Sequence, residues 1–270
     1  MIGFPNAKIN IGLNITEKRN DGFHNIETVM YPVPLTDALE FVESGSLRFD
    51  CSGLPVEGNP QQNLVIKAYS VLKAKFDLPP VHIHLHKNIP MGAGLGGGSS
   101  DGAFMLKMLN GYFNLGLQND ELEEYAAELG SDCAFFIKDE PVFACGKGEI
   151  LKPVDFRLPE MYLLLVKPPF GIPTKTAYSN VVPKKNSLPL KTRIDLPVTQ
   201  WKQNIKNQFE ETLFPLYPEL AEIKEELYNV GAVFASMTGS GSAIFGLFKS
   251  DPRQFLCHFP EASFTFTSRL

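Results

Sequence analysis

Pro90-Met91-Gly92-Ala93-Gly94-Leu95-Gly96-Gly97-Gly98-Ser99-Ser100-Asp101-Gly102 is the stretch that decides the fold. It puts five glycines into the seven residues 92–98, a costly choice in chain entropy. The cost is offset if the backbone must approach a ligand closely. Glycine lets successive N–H groups turn inward as an anion-binding nest. A helix read from about Ser99 to Leu109 adds unpaired N–H donors and the positive end of its dipole. Ser99 and Ser100 add hydroxyls suited to phosphate oxygens or to a metal bound by them. A flexible linker is the bland alternative, but the stretch is anchored by a strand before and a helix after. A P-loop requires a lysine after its glycines, and none follows here. Gly92, Gly94 and Gly97 spell a Rossmann fingerprint, but the region before them reads as antiparallel, without βαβ rhythm.

Upstream, Val81 to His86 alternates strictly and reads as a strand. Its three histidines, His82, His84 and His86, are best read as a solvated face. Same-face neighbours on one strand lie about 7 Å apart, too far for easy sharing of one metal ion. Residues 62–76 read as a helix with Leu64, Ala68 and Leu72 on one face. Residues 4–16, 25–31 and 37–43 read as strands joined by connections too short for crossover helices. Downstream, residues 120–129 form a helix stopped by Gly130, and 142–152 a hairpin around Gly146-Lys147-Gly148. A strand at 162–166, a surface loop at 180–197, an amphipathic helix at 218–229 and strands at 232–237 and 243–248 complete the reading. The last two strands flank a second glycine turn, Thr238-Gly239-Ser240-Gly241-Ser242. Taken alone, that turn is equally an ordinary hairpin.

The chain has 270 residues, enough for two domains with real cores. A composition shift places the boundary near residue 155. The net charge of −5 carries no basic run, so nothing points to nucleic acid as a partner. No apolar run reaches the roughly 18 residues of a membrane span, and the N-terminus lacks a signal-peptide pattern. Cys51, Cys133, Cys145 and Cys257 are scattered without C-x-x-C spacing, which points to free thiols in a reducing cytoplasm and to no metal site. Oligomeric state is not set by any of these patterns.

Three motifs then agree. The glycine stretch resembles the second motif of the GHMP kinases, P-x3-G-L-G-S/G-S-S. Pro5-Asn6-Ala7-Lys8-Ile9-Asn10-Ile11-Gly12-Leu13 resembles the first motif, and Thr238 to Ala243 the third. Arg19-x-Asp21-Gly22-Phe23-His24 resembles an R-x-D-G-Y-H signature found within that family. The resemblance implies an α+β, two-domain fold, residues 1–155 and 156–270, with ATP and substrate in the cleft between the domains. It implies phosphoryl transfer from ATP, with Mg²⁺, to the 2-hydroxyl of a cytidine diphosphate-linked methylerythritol in non-mevalonate isoprenoid synthesis. Residues Pro90, Met91, Gly92, Ala93, Gly94, Leu95, Gly96, Gly97, Gly98, Ser99 and Ser100 would hold the nucleotide. Asn63 and Lys87 would border the adenosine.

The resemblance also assigns Asp132, in Leu129-Gly130-Ser131-Asp132-Cys133-Ala134, as the catalytic base, although Cys133 and Ala134 depart from the family's pattern beside it. On local sequence Asp132 equally reads as a helix N-cap. Lys8 would be the cationic partner. It lies in an apolar strand, where an unpaired ammonium is expensive unless it snorkels to solvent. For the substrate, the resemblance implies His24 at the cytosine edge and Phe23 and Tyr178 as rings against the base. Phe23 replaces the more usual tyrosine. Asn10 would lie near the reacting alcohol, and Gly239 and Ser240 would close over phosphate or methylerythritol. Three rival readings stay open: another GHMP kinase, acting on homoserine, mevalonate or a sugar; a nucleotide-binding module without catalysis; and a metal protein using the strand of His82, His84 and His86.

Overall fold

The computed structural model describes residues 1–56, 58–158, 160–179, 181–184, 188–259 and 264–270. In chain order the strands and helices begin with β1 (Ile2–Gly3), β2 (Asn6–Lys18), β3 (His24–Thr36), β4 (Ala38–Glu43), β5 (Arg48–Gly53), α1 (Leu64–Lys73) and β6 (Val81–Lys87). Then come α2 (Gly97–Tyr112), α3 (Asn119–Leu129), α4 (Phe135–Lys138), β7 (Val142–Gly146), β8 (Ile150–Pro153), β9 (Tyr162–Lys167) and α5 (Thr174–Ser179). The last are α6 (Leu190–Ile194), α7 (Trp201–Asn204), α8 (Glu210–Leu213), α9 (Pro218–Asn229), β10 (Phe234–Met237), β11 (Ile244–Phe248) and β12 (Phe264–Arg269). They form two compact units that interleave in sequence, one of residues 1–8, 35–91 and 96–140, the other of 9–34, 92–95 and 141–270.

The first unit is built on a sheet of order β1-β4-β6-β5. Alternation sends Leu39 and Phe41 of β4, and Val81, Ile83 and Leu85 of β6, into full burial. Phe41 lies opposite Ile83 and Leu39 opposite Leu85 in an antiparallel pair. Helix α1 starts at Asn63, whose side chain accepts from the Val65 N–H at 2.9 Å. It buries Val65, Ile66, Ala68, Tyr69 and Leu72 and packs on α2. A Cβ on Gly102 would stand 3.0 Å from that of Leu64, so the two helices meet through that glycine. Helix α3 ends at Gly130, whose N–H bonds the Ala126 carbonyl.

One finding corrects the sequence reading here. Strand β5 runs parallel to β6, and α1 lies in the crossover, so a βαβ unit does precede the glycine stretch. It was illegible because all of β5 except Phe49 is exposed, and it therefore shows no apolar alternation.

The second unit holds a sheet of order β2-β3-β7-β8 and another of order β10-β11-β9-β12. The β7–β8 hairpin is antiparallel, pairing Cys145 with Ile150. Strand β9 is buried from Leu163 to Val166, which explains its unbroken apolar run. Helix α9 lays Leu220 and Leu227 onto β10 and β11, in a core that includes Leu164, Val166, Ala235 and Ile244. Of the loop expected at 180–197, residues 180 and 185–187 lie outside the described residues. The remainder is not all surface loop: it contains α6, whose Leu190 and Ile194 are buried. Two apolar residues four apart give that short helix one inward face.

Candidate active site

The glycine stretch folds as a nest followed by an uncapped helix. Gly92, Gly94 and Gly96 have φ of 62°, 73° and 72°, alternating with Ala93 and Leu95, both buried. Alternate left-handed residues are the pattern of an anion-binding turn. Gly97 and Gly98 already belong to α2, which starts two residues earlier than the sequence indicates. Its N-cap is Gly96, and among the described residues no side chain caps it. The first N–H groups of a 16-residue helix are thus left for a ligand. The Ser100 Oγ is buried with no hydrogen-bond partner among the described residues.

Lys8 runs beneath this turn. A Cβ on Gly96 would lie 3.1 Å from both Cγ and Cε of Lys8 and 2.9 Å from Cζ of Phe136, so only glycine fits above them. The Lys8 ammonium is 3.5 Å from a carboxylate oxygen of Asp132, with side-chain exposures of 3% and 31%. It does not snorkel. Burial pulls the Lys8 pKa below its ordinary value, opposed by the charge and hydrogen bond of Asp132. Asp132 is not a helix N-cap: Ala134 is the cap residue of α4, and Asp132 stands in the preceding turn, open to solvent on one side. The departure at Cys133 is inert. Its thiol is fully buried, and burial first, with the Asp132 charge, pushes its pKa up to about 12.

In the second unit, the two glycine turns touch. Ser242 N–H donates to the Gly92 carbonyl and Ala243 N–H to that of Ala93, both at 3.2 Å. A Cβ on Gly94 would stand 2.1 Å from the Thr238 carbonyl oxygen, which forbids any side chain there. The buried Thr238 hydroxyl accepts from the Asn10 N–H at 3.0 Å and lies 3.3 Å from Asn10 Oδ1 and 3.1 Å from the Gly94 carbonyl. Asn10 Nδ2 donates to Thr28 Oγ1 at 3.0 Å. Gly239 packs against Gly94 and Asn10 Oδ1, while the Ser240 hydroxyl is 3.4 Å from that of Thr174. The turn is therefore a fastening, not a plain hairpin.

His24 and Tyr178 come together as stacked rings, 5.0 Å apart and 23° from parallel. Burial first, then the Lys18 charge, lowers the His24 pKa. The Phe23 ring is 58% exposed and carries the Lys147 ammonium over it, 4.9 Å from its centroid.

Two family patterns match the chain: GHMP kinases N terminal domain over residues 63–140, and GHMP kinases C terminal over 198–262. A protein of Bacteroides fragilis named 4-diphosphocytidyl-2-C-methyl-D-erythritol kinase is 54% identical, with all of both chains covered. One of Parabacteroides distasonis with the same name is 51% identical over 97% of this chain and 95% of its own. A crystal structure of 4-(cytidine 5'-diphospho)-2C-methyl-D-erythritol kinase superposes with a TM-score of 0.83 at 32% identity, covering 99% of this chain and 98% of the other. This chain belongs to the GHMP kinase family. A mevalonate kinase of Methanococcus jannaschii, at 16% identity, covers all of this chain and 98% of its own with a TM-score of 0.74, which speaks for the fold alone.

Lys87 and the β6 histidines have partners within this GHMP kinase, and the histidines lie on the solvated face that the sequence indicates. Lys87 is 2% exposed and bonded to Asp37 and Asp101. The histidines of β6 are satisfied by β5. His82 Nε2 meets Asp50 at 2.7 Å, and the Ser52 hydroxyl lies 2.9 Å from ring nitrogens of both His84 and His86. No cluster of three or more potential metal ligands exists among the described residues, and none of their helices is long and apolar enough to cross a membrane. Thr28, Asp37, Asp101 and Thr238 escaped the site assignment. A polar residue inside an apolar strand, as Thr28 is, was the available signal.

Proposed function

We propose that this kinase transfers the γ-phosphoryl group of ATP to the 2-hydroxyl of 4-diphosphocytidyl-2-C-methyl-D-erythritol. The observation that carries the chemistry is the Lys8–Asp132 pair, with the Lys8 stem directly under Gly96 of the nest. The substrate rests on the full-length relatives and on the exposed Phe23 ring near the R-x-D-G-F-H turn.

The phosphates sit on the N–H groups of residues 92–99, which include the uncapped start of α2. Asp132 accepts a hydrogen bond from the substrate hydroxyl and orients its oxygen toward the γ-phosphorus. As the P–O bond forms and the bond to the ADP oxygen breaks, the proton passes to Asp132 and then to water, which reaches its exposed side. Lys8 holds the carboxylate in place and offsets negative charge as it builds on the transferred group. Asn10 lies beside the reacting alcohol, Phe23, His24 and Tyr178 take the cytosine, and Gly239 and Ser240 close over phosphate or methylerythritol. Mg²⁺ accompanies the triphosphate and supplies charge neutralisation. The hydroxyls of Ser99 and Ser100 are oxygen donors of the type it takes, and the Ser100 Oγ, without a hydrogen-bond partner among the described residues, fits such a role. In family terms residues 1–155 and 156–270 form the N- and C-terminal domains. All four cysteines are free thiols, as a reducing cytoplasm would keep them.

The test is ADP release from Mg-ATP with the cytidine diphosphate-linked alcohol, beside homoserine and mevalonate. Turnover on the first alone is expected. Turnover on another alcohol overturns the substrate, and ATP binding without turnover on any of them overturns the catalytic assignment.

A further inference from the structure

Lys87 closes β6 with its ammonium turned inward, 2% exposed. Around it stand Asp37, the residue between β3 and β4, and Asp101, the fifth residue of α2; they are 0% and 2% exposed. Lys87 Nζ donates to Asp37 Oδ2 and, at 2.7 Å, to Asp101 Oδ2. Asp37 is saturated, since its Oδ1 also accepts the N–H groups of Asn88 at 2.6 Å and Ile89 at 2.8 Å. Asp101 differs: its Oδ1 is buried with no partner among the described residues.

Two carboxylates and one ammonium in a sealed space make a poor device for stability. Well-packed apolar side chains of similar volume often do as well or better. The location supplies the missing reason. A Cβ on Gly97 would lie 3.3 Å from Lys87 Nζ and 2.8 Å from Ile89 Cγ2. The first turn of α2, the uncapped one, therefore rests on this cluster. Through Asp37 the cluster is bonded to the backbone at 88–89, where β6 hands the chain to the glycine stretch.

We propose that Asp101, held by Lys87 and Asp37, is a positioning residue that sets the height and rotation of the first turn of α2, and with it the affinity for the phosphates of ATP. The inference rests on the reading of that turn as the phosphate site. Asp101 does not touch the nucleotide; it acts through Lys87 and the helix it stands on.

The test is the dissociation constant of ATP, by calorimetry without any alcohol present, for wild type, Asp101→Leu and Asp101→Asn, beside the KM and kcat of each. Leucine matches the branched shape of aspartate and leaves Lys87 paired with Asp37. Asp101→Leu is expected to weaken ATP binding and raise its KM about tenfold, the scale of a donor set displaced by less than an ångström. Its kcat should change by less than about threefold, and the KM for the alcohol should hold. Asp101→Asn keeps an oxygen for Lys87 and should restore affinity to within about twofold. A folded Asp101→Leu that binds ATP like wild type overturns the proposal. If that variant does not fold, Asp101→Glu decides, because it keeps the charge and moves the carboxylate by one methylene. A raised KM for ATP supports the tether, and an unchanged one overturns it. Wild type that binds no ATP overturns the phosphate-site reading as well, whereas wild-type binding beside an indifferent Asp101→Leu overturns the tether alone.

Discussion

Lys8 and Lys87 are both buried lysines of the first unit, both on strands and both paired with aspartate, and they are built differently. Lys8 has Asp132, which is 31% exposed. Lys87 has two carboxylates, neither more than 3% exposed. Burial lowers the pKa of Lys8, and its carboxylate does not fully compensate. Asp101 and Asp37 outweigh the burial of Lys87 and raise it. An ion pair with one face in water can exchange a proton and receive a ligand, at the expense of a less contented lysine. A sealed cluster can do neither, but it fixes the position of whatever stands on it. The same residue types thus serve chemistry in one place and geometry in the other, and accessibility of the carboxylate separates the two.

The largest effect should follow from disabling the open pair. Asp132→Asn keeps the shape and loses the acceptor of the proton, so kcat should fall by about 10²–10⁴-fold while calorimetry still shows ATP bound. Retained turnover would remove Asp132 from the chemistry and erase the contrast.

The next effect belongs to the sealed cluster. Lys87→Met leaves Asp37 and Asp101 buried without their cation, and the cost expected from urea unfolding is about 3–5 kcal/mol. The sign with pH follows from the raised pKa. The stabilisation by Lys87 is fully present below 10.5, the ordinary lysine value, and is lost as pH rises through the folded-state value. A variant as stable as wild type would mean that water reaches the cluster.

Asp101 supplies a smaller, pH-dependent effect. Burial first, with the charge of Asp37, raises its pKa from 3.8 to about 7 against the pull of Lys87. The folded protein therefore binds more protons than the unfolded chain between those values. The contribution of Asp101 is fully present below 3.8 and is lost as pH rises through about 7. Lys87 and Asp37 face it, and Cys51 on β5 senses its charge. Asp101→Asn cannot titrate, so the wild-type-minus-variant difference in unfolding free energy should slope downward from pH 4 to 7, on the order of these pKa values. A flat difference would mean that Asp101 stays ionised throughout.

Much of this was legible in the chain, for identifiable reasons. Ile9, Ile11, Leu13 and Ile15 alternate with residues that are buried too, Lys8, Asn10 and Asn14 among them, so the period marks a strand covered on both faces, and Gly92, Gly94 and Gly96 recur at every second position because the turn needs a positive φ at each. Asp132 and Lys8 were found through motifs, not through any local sign of their pairing. The Lys87 cluster was not found, because its members lie at 37, 87 and 101 and no local pattern joins residues that only the tertiary fold brings together. The same holds for Thr238 and Asn10, 228 residues apart and in direct hydrogen bond. Strand β5 and helix α6 were missed for the opposite cause, since they are too exposed or too short to show a period.

The smallest expected effect is the stability of Lys8→Met, and it sharpens the contrast most. Burial makes the Lys8 ammonium a net burden on the fold: with a lowered pKa, its cost is full below the folded-state value and is relieved as pH rises from there to 10.5. Methionine fills the same channel under Gly96 without a charge to desolvate. Asp132, left alone, still has water on one side. The unfolding free energy should therefore stay within about 1 kcal/mol of wild type, against the several lost in Lys87→Met. Turnover should nevertheless collapse, because the cation beside Asp132 is gone. Stability kept with activity lost marks a charge held for chemistry. If Lys8→Met instead unfolds as readily as Lys87→Met, the two lysines are of one kind, and exposure of the partner carboxylate does not distinguish them.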